Sequence, residues 1–257
     1  MQSAGTDICF IGNTVTLSAD ESFPFDAVVA KDGNHQSTIE RVVKEMFAGY
    51  HAAILAYSET ADFLTAVSSK VATGFCALIF SALKRQEASS KNGNYTHEGT
   101  LFLEIAEVRA NGTLCDLLNP SSSSVQIDKG ANGPKITGVE QQAINTPMDL
   151  QSLLVKASAS RSGRDSVCIM QLVLSRQLRL KGAEVHEVTH SLEIVASLID
   201  LPIGPGSFNL PMYSAVKTFL GALDEPPLPP SPEHRACETQ VLDKLATLII
   251  TGNCKVT

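Results

Sequence analysis

The sequence predicts an α/β layered domain, and two features carry that prediction. Short apolar runs bounded by glycine or polar clusters, such as AAILAY and SVCIMQLVLS, have the look of buried strands. Between them lie longer segments whose apolar residues recur at three-and-four spacing, the period of a helix face. Strands and helices interleaved in this way bury their apolar faces by layering helices on a sheet.

In chain order, ICFIGNTVTL predicts a strand or hairpin, and Phe23-Pro24-Phe25-Asp26 leads into a short apolar run, AVV. HQSTIERVVKEMFAG predicts a helix: Ile39, Val42, Val43, Met46 and Phe47 fall on one face, and Gly49 suits the C-terminal cap. AAILAY is a buried strand, and ADFLTAVSSKVATGFCALIFSALKRQ a long, mostly covered helix. QEASSKNGNYTHEG is a polar loop with Asn-Gly turn chemistry, and TLFLEIAEV a strand with period-2 alternation, followed by LCDLLN. The serines Ser121 to Ser124 make a flexible connector, and GANGPK is a turn between short strands. Pro147 introduces the helix MDLQSLLVKASAS, after which SVCIMQLVLS is a strand. SFNLPMYSAVKTFLGAL and CETQVLDKLATLII are helices, separated by DEPPLPPSPE, an extended and stiff connector. No internal repeat is found.

The totals bound the function. A chain of 257 residues predicts one domain, and 44% hydrophobic residues are ample for its core. No apolar run is long enough to span a membrane, and the N-terminus lacks a basic and apolar leader. Cys9, Cys76, Cys115, Cys168, Cys237 and Cys254 are scattered without a CxxC pair, which predicts reduced, buried thiols in a cytoplasmic protein. A formal charge of −7 and no basic stripe argue against nucleic acid as a partner.

In this order the segments resemble the kinesin motor domain. Gly49-Tyr50-His51-Ala52-Ala53-Ile54-Leu55-Ala56-Tyr57 is similar to that family's GYNGTIFAY strand, and FPFDAVV upstream to its F-x-FD-x-VF. Gln36 falls near its TQ-x-x-VY. Downstream, Leu103-Glu104-Ile105 with Cys115-Asp116-Leu117-Leu118 resembles its LEIYNE…DLL pair, and Ile136 to Val139 its V-x-GL turn. Leu242, Leu245 and Gly252-Asn253-Cys254-Lys255 are similar to its SKLTRLL…GGNCKT segment. The resemblance runs from about residue 23 to 255. It implies a single domain over 1–257 with a central, mostly parallel sheet and helices on both faces. Because the chain starts after the family's first strand and stops where its last core strand begins, terminal strands of that sheet are expected to be missing.

The resemblance also implies ATP and magnesium as cofactors and microtubules as partner, and here the residues depart from the pattern. The family's phosphate loop, GQTGSGKT, falls on Ser58-Glu59-Thr60-Ala61-Asp62-Phe63-Leu64-Thr65. Such a loop works through converging backbone N–H groups that glycines let close to phosphate, a lysine at the β- and γ-phosphates, and a hydroxyl on magnesium. Ser58, Ala61 and Phe63 replace the glycines and Leu64 the lysine, while Glu59 and Asp62 add negative charge where a polyanion would sit. Only Thr65 persists.

Other nucleotide-sensing parts are degraded as well. The family's switch I, SSRSH, falls on Ser162-Gly163-Arg164-Asp165-Ser166, so Ser162 and Arg164 alone are kept. Ala196 takes the place of the switch II aspartate, with Asp200 and Gly204 as salvage candidates at the wrong spacing, and the RxRP segment is absent. The expectation is a pseudo-motor that binds microtubules or another cytoskeletal partner and uses no cofactor. The alternative is a divergent but active ATP-driven motor, and a MgATP titration separates the two.

Three further signals compete. His186-Glu187-Val188-Thr189-His190 matches H-E-x-x-H, which on a helix puts two imidazoles on one face for zinc, as in a metallohydrolase. Position 193 is Glu193 where the extended motif wants glycine, so the ordinary reading is a polar loop or helix face. DEPPLPPSPEHR contains a PxxP-like run that suits an SH3 or WW domain, or serves as a stiff linker. The segment that faces the microtubule by resemblance carries Asp224, Glu225 and Glu233 against His234, Arg235 and Lys244, which predicts a weakened contact with acidic tubulin. Arg161 and Arg164 are either a residual anion site or two solvated arginines.

Overall fold

The computed structural model describes residues 9–11, 14–18, 21–24, 36–58, 61–90, 95–109, 113–122, 124–130, 133–163, 166–181, 188–202 and 254–256. By internal contacts the chain divides into two units, 1–38 and 39–257. In the first, β1 (Cys9–Ile11), β2 (Thr14–Ser18) and β3 (Glu21–Pro24) form a small antiparallel sheet, in keeping with the expected hairpin.

The second unit is built on a seven-stranded sheet. Its strands are β4 (His51–Ser58), β5 (Tyr95–Val108), β6 (Leu114–Asp116), β9 (Gln142–Ile144), β10 (Val167–Leu180), β11 (Val188–Pro202) and β12 (Cys254–Val256). The order is β12-β4-β11-β10-β5-β6, with β9 also on β5. The α/β class holds, but the sheet is mixed rather than mostly parallel. β4 is parallel to β11 and β12, whereas β11, β10, β5, β6 and β9 are joined by antiparallel ladders. β10 ends at Leu180 and β11 begins at Val188, too few residues for the crossover that a parallel pair needs, so the two run antiparallel. At this end of the sheet a terminal strand expected to be missing is present: β12 pairs in parallel with β4.

Alternation in these strands sorts residues between two faces. One carries Leu101, Leu103 and Ile105, Met170, Leu172 and Leu174, and Ile194, Ala196 and Leu198, all buried in the main core. Register aligns them in rows, for example Leu103–Leu172–Ala196–Ala52. Helices α1 (Gln36–Phe47), α2 (Ala61–Ser90) and α3 (Pro147–Ser160) supply the rest of this core through Ile39, Val42, Val43 and Met46, Phe75 and Ile79, and Leu150 and Ala157. Each such side chain, once fully buried, contributes about 1.5–3 kcal/mol.

The opposite face is also buried and carries a polar row, Glu104–Gln171–Ser197. Gln171 Nε2 donates to Ser197 Oγ (2.9 Å), and Gln141 Nε2 to Glu104 Oε1 (2.9 Å). The hairpin of β7 (Gln126–Gly130) and β8 (Gly133–Thr137) reaches this row, since the Ile136 N–H donates to Gln171 Oε1 (3.4 Å). The helices expected after residue 206, which would test helices on both faces, lie outside the described residues, as does the proline run.

Helix ends follow the sequence closely. α1 closes on Gly49 at φ +98°, with the Gly49 N–H on Met46 C=O (2.9 Å) and the Tyr50 N–H on Glu45 C=O (3.1 Å), a Schellman stop. α3 opens on a capping box: the Asp149 N–H donates to Thr146 Oγ1 and the Thr146 N–H to Asp149 Oδ2, with Pro147 in the first turn. Two expectations change. α2 runs on to Ser90 and β5 begins at Tyr95, so helix and strand each take residues from the expected polar loop. The serine connector is partly pinned, with Ser122 Oγ donating to Gly138 C=O (2.7 Å). Gly138 sits at φ +77°, and a Cβ there would meet Ser124 O at 2.3 Å, so only glycine fits this turn.

Candidate functional site

Register brings the β4–α2 and α3–β10 connections to one end of the sheet. Pro202 pairs with Ser58 and Asp200 with Ala56 where parallel β11 and β4 finish. Cys168, at the start of β10, pairs with Asp200 on one side and Glu107 on the other. The row Ala56–Asp200–Cys168–Glu107 therefore crosses four strands at the edge where the β4–α2 and α3–β10 connections emerge. The carboxyl ends of parallel strands are where α/β sheets place ligands.

At the first connection β4 ends at Ser58 and α2 begins at Ala61, so Glu59 and Thr60 alone separate strand from helix. Ala61, Asp62, Phe63, Leu64 and Thr65 belong to the opening turns of the helix. The G-x-x-x-x-G-K-[ST] pattern needs a loop of several residues to fold its N–H groups around a phosphate. Here α2 takes up the length from Ala61 onward.

The second connection carries the best-defined polar cluster. Glu107 follows Leu101, Leu103 and Ile105 on the inward face of β5 and is fully buried. Its Oε1 accepts from Ser166 Oγ (2.6 Å) and from the Ser162 N–H (2.9 Å). Its Oε2 lies 3.4 Å from Arg109 Nε. Arg161, the C-cap of α3, turns its guanidinium onto Ser166, donating from Nε to Oγ (3.2 Å) and from Nη2 to the carbonyl. Burial alone would raise the Glu107 pKa. The bonds from Ser166 and Ser162, with Arg109 behind them, outweigh it and hold the carboxyl below its ordinary value.

The sequence expectations distribute unevenly over this geometry. Ser162 is in the cluster through its backbone N–H, whereas Arg164 lies outside the described residues. Arg161 bonds Ser166 through Nε and Nη2, and Arg164, the other member of the expected anion pair, is outside the described residues. Ala196 is buried in the middle of β11, paired with Leu172 and Ala52. The residue of β11 at the converging edge is Asp200. Gly204, His234, Arg235 and Lys244 fall outside the described residues.

The H-E-x-x-H signal meets a different backbone. Val188-Thr189-His190 is strand, the start of β11, so the motif does not lie on a helix that would put His186 and His190 on one face. Among the described residues no group of three or more His, Cys, Asp or Glu is placed to hold a metal. Cys76 and Cys115 are buried free thiols, and burial, with Asp149 adding to it, pushes the Cys76 thiol up to about 11. No helix among the described residues is long and apolar enough to cross a membrane.

Sequence reasoning missed Glu107 and His51. The signal for Glu107 was present: an acid on the inward face of an alternating strand must be paired, because an unpaired buried charge is costly. His51, buried at the start of β4, accepts the Val195 N–H at Nδ1 (3.0 Å), a bond no local pattern announces.

Comparison with known proteins gives one match. The family described as kinesin motor domain matches residues 11–177, more than half of the chain and inclusive of both connections. The late segment around Leu242 to Lys255 lies beyond the matched residues. No curated protein matches the chain.

Proposed function

The chain belongs to the kinesin motor domain family, and from that premise we propose that it is a pseudo-motor. It keeps the scaffold, does not cycle ATP, and engages microtubules or another cytoskeletal partner without regard to nucleotide. The observation that carries this reading is the β4–α2 connection, two residues between Ser58 and Ala61 in a stretch without glycine or lysine. Phosphoryl transfer is almost wholly positioning and electrostatic stabilisation, so a domain without the cradle and its lysine loses the reaction.

Further support comes from the rest of the edge. The position that should hold the switch II carboxylate is an alanine in the core, and the first switch segment is bonded to the protein itself. The cytoskeletal setting follows from the family, and a cytoplasmic location accords with the reduced thiols expected from the sequence. SH3 or WW recognition of the proline run is a secondary proposal, tested by binding of a 224–235 peptide.

The experiment is co-sedimentation with stabilised microtubules with and without MgATP, alongside a MgATP titration of the free protein. Pelleting indifferent to ATP, with no micromolar MgATP binding, is the expected result. ATP-dependent release or micromolar binding would establish the divergent active motor instead.

A further inference from the structure

We propose that Glu107 is an internal tether that fixes Ser162 and Ser166, the two ends of the α3–β10 segment, taking the place of the ligand that would otherwise order them. The inference rests on the pseudo-motor reading and names the device that makes the segment indifferent to nucleotide.

The argument begins with what the segment has to offer. It runs from Arg161, at the end of α3, to Ser166, just before β10. A ligand-sensing segment at a sheet edge binds through free N–H, hydroxyl and guanidinium donors. Here the Ser162 N–H, the Ser166 hydroxyl and two N–H groups of Arg161 already bond within the protein. The Ser162 N–H and the Ser166 hydroxyl both point at Glu107 Oε1, at 2.9 and 2.6 Å. The Arg161 guanidinium closes back on Ser166 Oγ and its carbonyl. Ser166 Oγ also lies 3.0 Å from Gly163 O.

Glu107 itself has no freedom to release them. It is fully buried on β5, in a strand laddered to β10 on one side and β6 on the other. A desolvated carboxylate is retained only when its oxygens are satisfied, and charge-assisted bonds of this kind are roughly twice as strong as neutral ones. Arg109, one residue past β5, bears on Oε2, and its Nη2 donates to Cys115 Sγ on β6 (3.2 Å). The carboxylate thus sits where an anion at the sheet edge would meet the segment, but it is covalently part of the sheet. It cannot leave as a product can.

The test is residue-resolved amide hydrogen exchange at Ser162 in the wild-type chain and in Ser166→Ala and Glu107→Gln. In the wild type, Ser162 is protected and its rate does not change with MgATP. Ser166→Ala removes the hydroxyl that binds the far end of the segment to Glu107, so the Ser162 bond loses its support and opens more often, and the variant reports even where Glu107→Gln fails to fold. Each variant is expected to speed exchange at Ser162 about tenfold, with β10 core amides such as Leu172 unchanged. Unaltered Ser162 exchange in a folded Ser166→Ala protein would overturn the tether. MgATP binding that leaves Ser162 exchange untouched would keep the tether and remove the pseudo-motor reading, which separates the two failures.

Discussion

Two buried titratable groups make the fold sensitive to acid in different windows. His51 accepts the Val195 N–H through Nδ1, a bond that only the neutral ring can make. Burial lowers its pKa, and Glu193 opposes that only in part. The folded value therefore lies below the ordinary value of about 6.5, and the unfolded chain takes up a proton first. Stability from this group is complete above about pH 6.5 and falls as pH drops through the lowered value. His51→Ala leaves a buried N–H unsatisfied and is expected to cost about 1–3 kcal/mol. Denaturant melts at pH 7.5 and 5.5 check both points: the wild type loses stability on acidification, and the variant shows a smaller loss. Glu107, also lowered, follows the same sign further down, losing its contribution only as pH falls below the ordinary carboxylate range.

At the scale of elements, the sequence was legible where a local rule and the tertiary fold agree. The α1 stripe, the Gly49 stop, the Pro147 start and the β7–β8 turn were each read from a few residues, and each is present. Thr146 completes the α3 start by accepting the Asp149 N–H, so Thr146→Ala is expected to lower stability by about 1 kcal/mol, measured by thermal or urea melting. Ends of elements set by distant partners were less legible. α2 continues to Ser90 and β5 begins at Tyr95 because the long strands carry pairing down to Tyr95–Leu180, beyond the turn chemistry of the intervening residues. His190 was read on a helix pattern but pairs with Leu178 in a ladder, since three-and-four spacing in a buried strand arises from apolar residues on both faces. The Glu107 cluster was legible only in part: the acid is visible in the strand, but Ser166, fifty-nine residues on, is brought to it by register alone.

For the whole molecule, the proposed loss of ATP turnover can rest on one part or on the assembled edge. The β4–α2 connection, the α3–β10 segment and the end of β11 meet across a single row, Ala56–Asp200–Cys168–Glu107, so they act on one ligand or on none. Restoring the loop alone addresses only the first of these. Replacing residues 58–65 with GQTGSGKT supplies glycines and lysine, but leaves Ala196 in the core and the α3–β10 donors bonded to Glu107. The grafted chain is therefore expected to show no microtubule-stimulated ATP hydrolysis above background, with folding checked by circular dichroism. Turnover from the graft alone would mean that the loop was the sole defect and that Asp200 serves as the missing carboxylate. Net charge adds a second constraint on the same assay. At −7 the chain meets an acidic filament with little long-range attraction, so pelleting is expected to be weak and to fall further between low and moderate salt. Binding that holds firm as salt rises would instead point to an apolar contact with the filament, independent of charge and of nucleotide alike.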